Sequence, residues 1–230
     1  MKFSDYLHTN TTKERQYLMS SPIIMNTLNS NVDKETYIRF LIQAYHHVKH
    51  TVPIFMEVHK NLYPEHITFK ENIMHYIEEE KGHEQWILND LNYLNISREY
   101  VYEVGPSIHN HFMISHAYRT IKRLNPIAIF GMVKVLEGTS KDVALKCSEL
   151  IKKKFNTTSK SVTYLSSHGL ADQEHFVDLT NILDRINSDE DKEDILAMSK
   201  EIYYFYGNVL RSITEESNVI KIKGEYHELL

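Results

Sequence analysis

The sequence predicts an all-α protein, a bundle of amphipathic helices, on three observations. Apolar residues recur at spacings of three and four through nearly the whole chain, the period of a helix with one face turned to a core. The 230 residues include only 7 glycines and 5 prolines, against 42% hydrophobic and 25% charged residues, a composition that favours long helices with short connections over a sandwich or barrel. No alternating apolar and polar run is long enough for a useful strand, and there is no internal repeat or low-complexity tract.

The expected elements follow in chain order. A first helix covers about residues 3–19, and after Ser20-Ser21-Pro22 a short one spans about 23–29. Asp33, whose carboxylate can accept a first-turn amide, opens a long helix that runs to about Leu62. Pro64 and Pro126 each stand where a first-turn proline opens a helix, giving segments of about 64–93 and 126–154. Between these lies a helix of about 107–124, behind the turn Val104-Gly105-Pro106-Ser107. The chain breaks at Asn156–Ser159, and helices of about 160–186 and 190–214 complete seven or so main segments. The short basic run Lys152–Lys154 suits a helix C-terminus. Without a Pro/Gly/Ser-rich linker, one domain is expected over 1–216, with 217–230 as a C-terminal tail.

Charge and cysteine usage exclude some functions. A net charge of −5 argues against a nucleic-acid surface. No run of 18 apolar residues occurs, and the N-terminus lacks an apolar signal segment, so a soluble, cytoplasmic protein with no membrane partner is expected. The single cysteine, Cys147, excludes an intrachain disulfide and fits a reducing compartment; on an amphipathic segment it reads as a small buried hydrophobe rather than a nucleophile. A small-molecule substrate and a homodimer are expected.

The strongest chemical signal is His168-Gly169-Leu170-Ala171-Asp172-Gln173-Glu174-His175. On a helix, His168, Asp172 and His175 lie at about 0°, 40° and −20°, in one narrow stripe. Such a stripe is often a solvated face, but Tyr164, Leu165, Phe176 and Leu179 share its sector. That turns it toward a core, where unpaired carboxylates and imidazoles are costly and a metal ion satisfies all three. A second cluster is Ile77–Trp86, in which Glu80 is three residues and Glu79 four residues before His83, so either can share its face. Gly82, read as a mid-helix glycine, implies a packing reason there, as does Gly169. Glu137 interrupts the apolar stripe of Phe130, Val133 and Leu136, between Gly131 and Gly138, and in that setting it needs a cation or a proton. Carboxylates mixed with imidazoles suit iron or manganese better than structural zinc. Glu-x-x-His occurs only once in a ligand-competent context, whereas ferritin-like carboxylate bundles need it twice. His46 and His50, with Tyr45, are candidate substrate contacts or proton donors; hydrogen-bonded histidines at a helix seam remain the alternative.

In combination and order, Glu35–Pro53, Tyr76–Leu91, Phe130–Ser140 and Ser167–Phe176 resemble the haem-oxygenase-like diiron oxidases within the wider TenA-like helical superfamily. The resemblance covers most of the chain and implies a haem-oxygenase-like bundle with carboxylates and histidines from three core helices holding the metal. It makes His83, Glu137, His168, Asp172 and His175 ligands here. Some members carry a glutamate seven residues before the first histidine, where this chain has Tyr76; others use Glu-x-x-His, which assigns Glu80, with Glu79 in reserve. The implied cofactor is two irons per chain, one held more weakly, with manganese as the other candidate and O₂ as co-substrate. The implied activity is oxidation or oxygenation of a small organic substrate such as an amino acid, amine or fatty acid. Relatives on the same fold supply the alternatives: a TenA-like C–N hydrolase, for which Cys147 lacks the matching motif; a haem oxygenase, for which His8 is a weak candidate ligand; and a non-catalytic regulatory or scaffold protein.

Overall fold

The computed structural model describes residues 1–215, so the expected tail lies outside the described residues. Every regular element among them is helical: α1 Phe3–Asn10, α2 Thr12–Met19, α3 Pro22–Leu28, α4 Lys34–Val48, α5 Thr51–Asn61, α6 Lys70–Glu79, α7 His83–Tyr93, α8 Arg98–Val104, α9 Ile108–Arg123, α10 Ile129–Phe155, α11 Thr163–Leu183 and α12 Asp189–Glu215. Asp33 caps α4 as expected, accepting the Thr36 amide at 2.7 Å.

Three of the long helices expected from periodicity are broken, each for a local reason. Residues 3–19 divide at Thr11, which leaves helical backbone geometry (φ −116°) and bonds back to the Leu7 carbonyl. The helix expected over 33–62 divides at Lys49–His50, because the ring of Pro53 would clash with the carbonyl of Lys49 in a continuous helix. Residues 64–93 divide twice. Pro64 opens a 3-10 turn over 64–69 rather than an α-helix, and Gly82 separates α6 from α7 with φ +91°. Gly82 is therefore not a mid-helix residue with a packing role: a side chain there would meet nothing within 4 Å, and its glycine supplies the left-handed turn. The short helix α8, capped by Ser97, has no expectation from the sequence.

α10 is the central element, packed against α11 on one side and α12 on the other. Glycines set both approaches. A Cβ on Gly131 would fall 2.5 Å from the Ile195 carbonyl of α12, and one on Gly169 of α11 would fall 2.8 Å from Leu145 Cγ of α10. The apolar side chains form two clusters. One includes Tyr76, Val133 and Leu179; the other includes Ile87, Ala144 and Leu165. On each of the three chain stretches the sequence singled out, the polar candidates fall between a residue of one cluster and a residue of the other. The sequence pattern thus puts the candidate metal ligands of these three stretches at a single seam.

Candidate metal centre

The turn at Gly82 places Glu80, just past the end of α6, beside His83, the first residue of α7, with Glu80 Oε2 3.2 Å from His83 Nδ1. α11 comes alongside because Asp90 of α7 accepts the backbone amides of Thr163 and Tyr164 at 2.9 and 2.8 Å. This fixes the register of His168, whose ring meets that of His83 edge-on at 4.7 Å, with Trp86 stacked on His83 at 4.0 Å. One turn further along α11, Asp172 lies between the two histidines, 3.7 Å from His168 Nδ1 and 3.6 Å from His175 Nδ1. His175 Nε2 in turn lies 3.3 Å from Glu79 Oε2. α10 contributes Glu137, buried at 8% exposure.

Among the described residues, two sets of three have ligand atoms within 4.8 Å of one another: Glu80, His83 and His168, and Glu80, Glu137 and His175. Glu80 belongs to both. Asp172 belongs to neither, yet touches a histidine of each. All six residues expected as ligands are therefore brought together, and Glu79, held in reserve, adds a contact to His175.

The electrostatics are those of a site short of positive charge. Glu137 Oε2, His168 Nε2, both carboxylate oxygens of Asp172 and His175 Nδ1 are buried without a hydrogen-bond partner, an arrangement that native interiors rarely keep without a bound ion or water. Burial, reinforced by the charges of Asp172 and Glu80, holds the Glu137 carboxyl well above the usual range. Burial also pushes the Asp172 carboxyl up, but His168 and His175 outweigh it and leave it below its ordinary value. The Asp172 carboxylate raises His175 in return. The Tyr76 hydroxyl, buried and unpartnered, is pushed up by burial and then by the neighbouring Glu137 and Glu80. The donor set therefore fits a divalent cation: hard oxygens and imidazoles converge beside a cavity that no lysine or arginine among the described residues lines.

A mainly apolar cavity of about 150 Å³ borders the cluster at Glu80, Glu137, His168 and Asp172. His47 lines it, whereas His46, His50 and Tyr45 do not. His46 donates to the Val101 carbonyl of α8 at 3.0 Å and packs against Tyr45, and His50 lies 3.5 Å from the Tyr118 hydroxyl of α9. These are contacts at helix seams. Burial holds both His46 and His47 down at about 4, so both are neutral at pH 7. Cys147 lines the cavity, and burial pushes its thiol up to about 11. His8 is exposed on α1. Three contributors carry no expectation from the sequence: His47 on the cavity wall, Trp86 and Asp90. The last two lie one and two helical turns beyond His83, so the helical period was the available signal.

Residues 38–207 match the model of a family described as iron-containing redox enzymes. No curated protein sequence matches the chain. Among solved structures, a domain of unknown function with a heme oxygenase-like fold from Shewanella denitrificans has a TM-score of 0.84 at 20% identity, covering 96% of this chain and 95% of that one. A TenA homolog from Pseudomonas syringae pv. tomato has a TM-score of 0.76 at 11% identity, with 93% of each chain covered. The heme oxygenase of Leptospira interrogans has a TM-score of 0.73 at 16% identity, covering 92% of this chain and 100% of that one. At these identities the likeness concerns the fold, which is the all-α heme oxygenase-like bundle. No helix among the described residues is long and apolar enough to cross a membrane.

Proposed function

Because this chain belongs to the family of iron-containing redox enzymes, we propose that it is a non-haem diiron oxidase or oxygenase that uses O₂ to oxidise a small organic substrate. The observation that supports this reading most is the set of buried, unpartnered donor atoms on Glu137, His168, Asp172 and His175 around a carboxylate, Glu80, common to two ligand sets. One ion would be held by Glu80, His83 and His168, and the other by Glu80, Glu137 and His175, with Asp172 available to either. Manganese suits the same donors. When bound, the metal supplies the electrons for reducing O₂.

The side chains do the rest. Glu80, Glu137 and Asp172 offset the charge of the cations, and Glu137 gives up its proton as a cation takes its place. Asp172, beside Nδ1 of both His168 and His175, would orient the two rings, a usual role of a carboxylate next to a ligating imidazole. Trp86 and the apolar cavity wall keep bulk water from the cluster. The alternatives lack this support: His8 is exposed away from the cavity, and a thiol held near 11, as Cys147 is, supplies little thiolate for C–N hydrolysis.

Mixing anaerobic, Fe(II)-loaded protein with O₂ tests the proposal. A transient visible absorption band with O₂ uptake in proportion to bound iron supports it; bound iron that does not consume O₂ contradicts it.

A further inference from the structure

The cavity beside the cluster continues past it in both directions. On α10 its wall is a single stripe from Ile129 to Ile151, about 33 Å of helix, with about 12 Å before Glu137 and about 21 Å beyond it. The first arm is closed in by Ile54, Phe55 and Met132 and the second by Val32, Tyr37 and Cys147. The two arms are lined by different apolar clusters, and Glu137 stands at the seam between them. A volume of about 150 Å³ spread along such a wall makes a slot rather than a chamber. Apolar space of this kind is not held by water. Among the described residues, no lysine or arginine borders it, so that part of the wall offers no fixed positive charge to an anionic head group.

We propose that the slot takes one long unbranched hydrocarbon chain lying across the cluster, so that carbons in the interior of the chain, rather than its end, face Glu80 and Glu137. The choice of which carbons are presented rests on the cluster being the reaction centre; the binding itself does not. Two features carry the inference: the cluster borders the slot part-way along, and both arms are apolar to their ends.

The metal-free protein is titrated calorimetrically with straight-chain alcohols, amines and carboxylates of increasing length, and iron binding is measured separately. Affinity should rise about fourfold per added methylene until the slot is full, for alcohols and amines at least as steeply as for carboxylates. Long chains, but not short ones, should protect Cys147, the single cysteine, from a small alkylating reagent. Val133→Phe, in the first arm, should weaken long chains at least tenfold and leave short ones unchanged. If that variant does not fold, capping Cys147 of the wild-type protein with a small disulfide-forming reagent narrows the second arm and should have the same length-selective effect. Affinity independent of chain length, or loss confined to one arm, overturns the inference. Iron binding without chain-length dependence sinks the slot and leaves the proposed function standing; chain binding without iron binding does the reverse.

Discussion

The Asp90 carboxylate on α7 accepts the Tyr164 backbone amide at 2.8 Å at the first turn of α11. Asp90 lies two helical turns after His83, and Tyr164 lies one turn before His168, so this clamp sets the level at which the two histidines meet. Asp90 is fully buried and also holds the Thr163 amide. Asp90→Ala should cost about 1–3 kcal/mol by leaving both amides without an acceptor. It should also weaken metal binding although Asp90 touches no ligand. Unchanged iron affinity in a folded variant would show that the clamp does not position the histidines.

The same residue gives a pH dependence. Burial pushes the Asp90 carboxyl up to about 6, against the amide contacts that pull it down. Its folded value exceeds the unfolded one, so between about pH 4 and pH 6 the folded state binds a proton that the unfolded state does not. Its contribution to stability is complete below that window and is lost as pH rises through 6. Asp90→Asn lacks this titration, so the stability of wild type relative to the variant should fall across the window. Parallel curves for the two proteins in urea melts would contradict the assignment.

Asp172 and Glu137 should respond in opposite senses when the protein is metal-free. Asp172 faces His168 and His175 and is held low, so it adds stability above the usual carboxylate range that is lost on acidification. Asp172→Ala should therefore destabilise the metal-free protein by about 1–3 kcal/mol. Glu137 has an unpartnered oxygen and is held high, so its charged form opposes folding at neutral pH. Glu137→Gln should leave metal-free stability unchanged or raise it. Glu137→Gln should lose the iron of its own ligand set and keep the other, and Asp172→Ala should weaken iron binding. Thermal melts of chelated proteins decide this, and a clear loss of stability in Glu137→Gln would point to a structural role instead.

The turn at Gly82 offers a backbone test. Gly82→Ala adds a side chain that clashes with nothing but must adopt φ +91°, which costs about 1–3 kcal/mol of strain. The effect on iron binding should exceed that on stability, because the same turn places Glu80 beside His83. A variant with lowered melting temperature but unaltered iron affinity would refute that link.

Much of this was legible in the sequence, for identifiable reasons. A period of three and four along α10, α11 and α12 gives those helices closely, and the apolar neighbours of Asp172 and Glu137 announce that both are buried. Breaks within helices were harder to read. Pro53, Gly82 and Thr11 each lie inside an uninterrupted apolar pattern, and periodicity persists across a break whenever both pieces pack on the same core. The cavity was hidden for a related reason: His46, His47 and His50 are equivalent as a run of residues, and only the packing of α4 decides that His47, and not His46, faces the slot.

Anaerobic Fe(II) binding stoichiometry decides whether Glu80 serves two metal positions at once. Wild-type protein should take up two irons per chain, the second more weakly. Because His83 and His175 each belong to one ligand set and Glu80 to both, His83→Ala and His175→Ala should each retain one iron, whereas Glu80→Ala should retain neither with appreciable affinity. Two irons retained in folded Glu80→Ala protein, or none taken up by wild type, would rule out a shared role for Glu80.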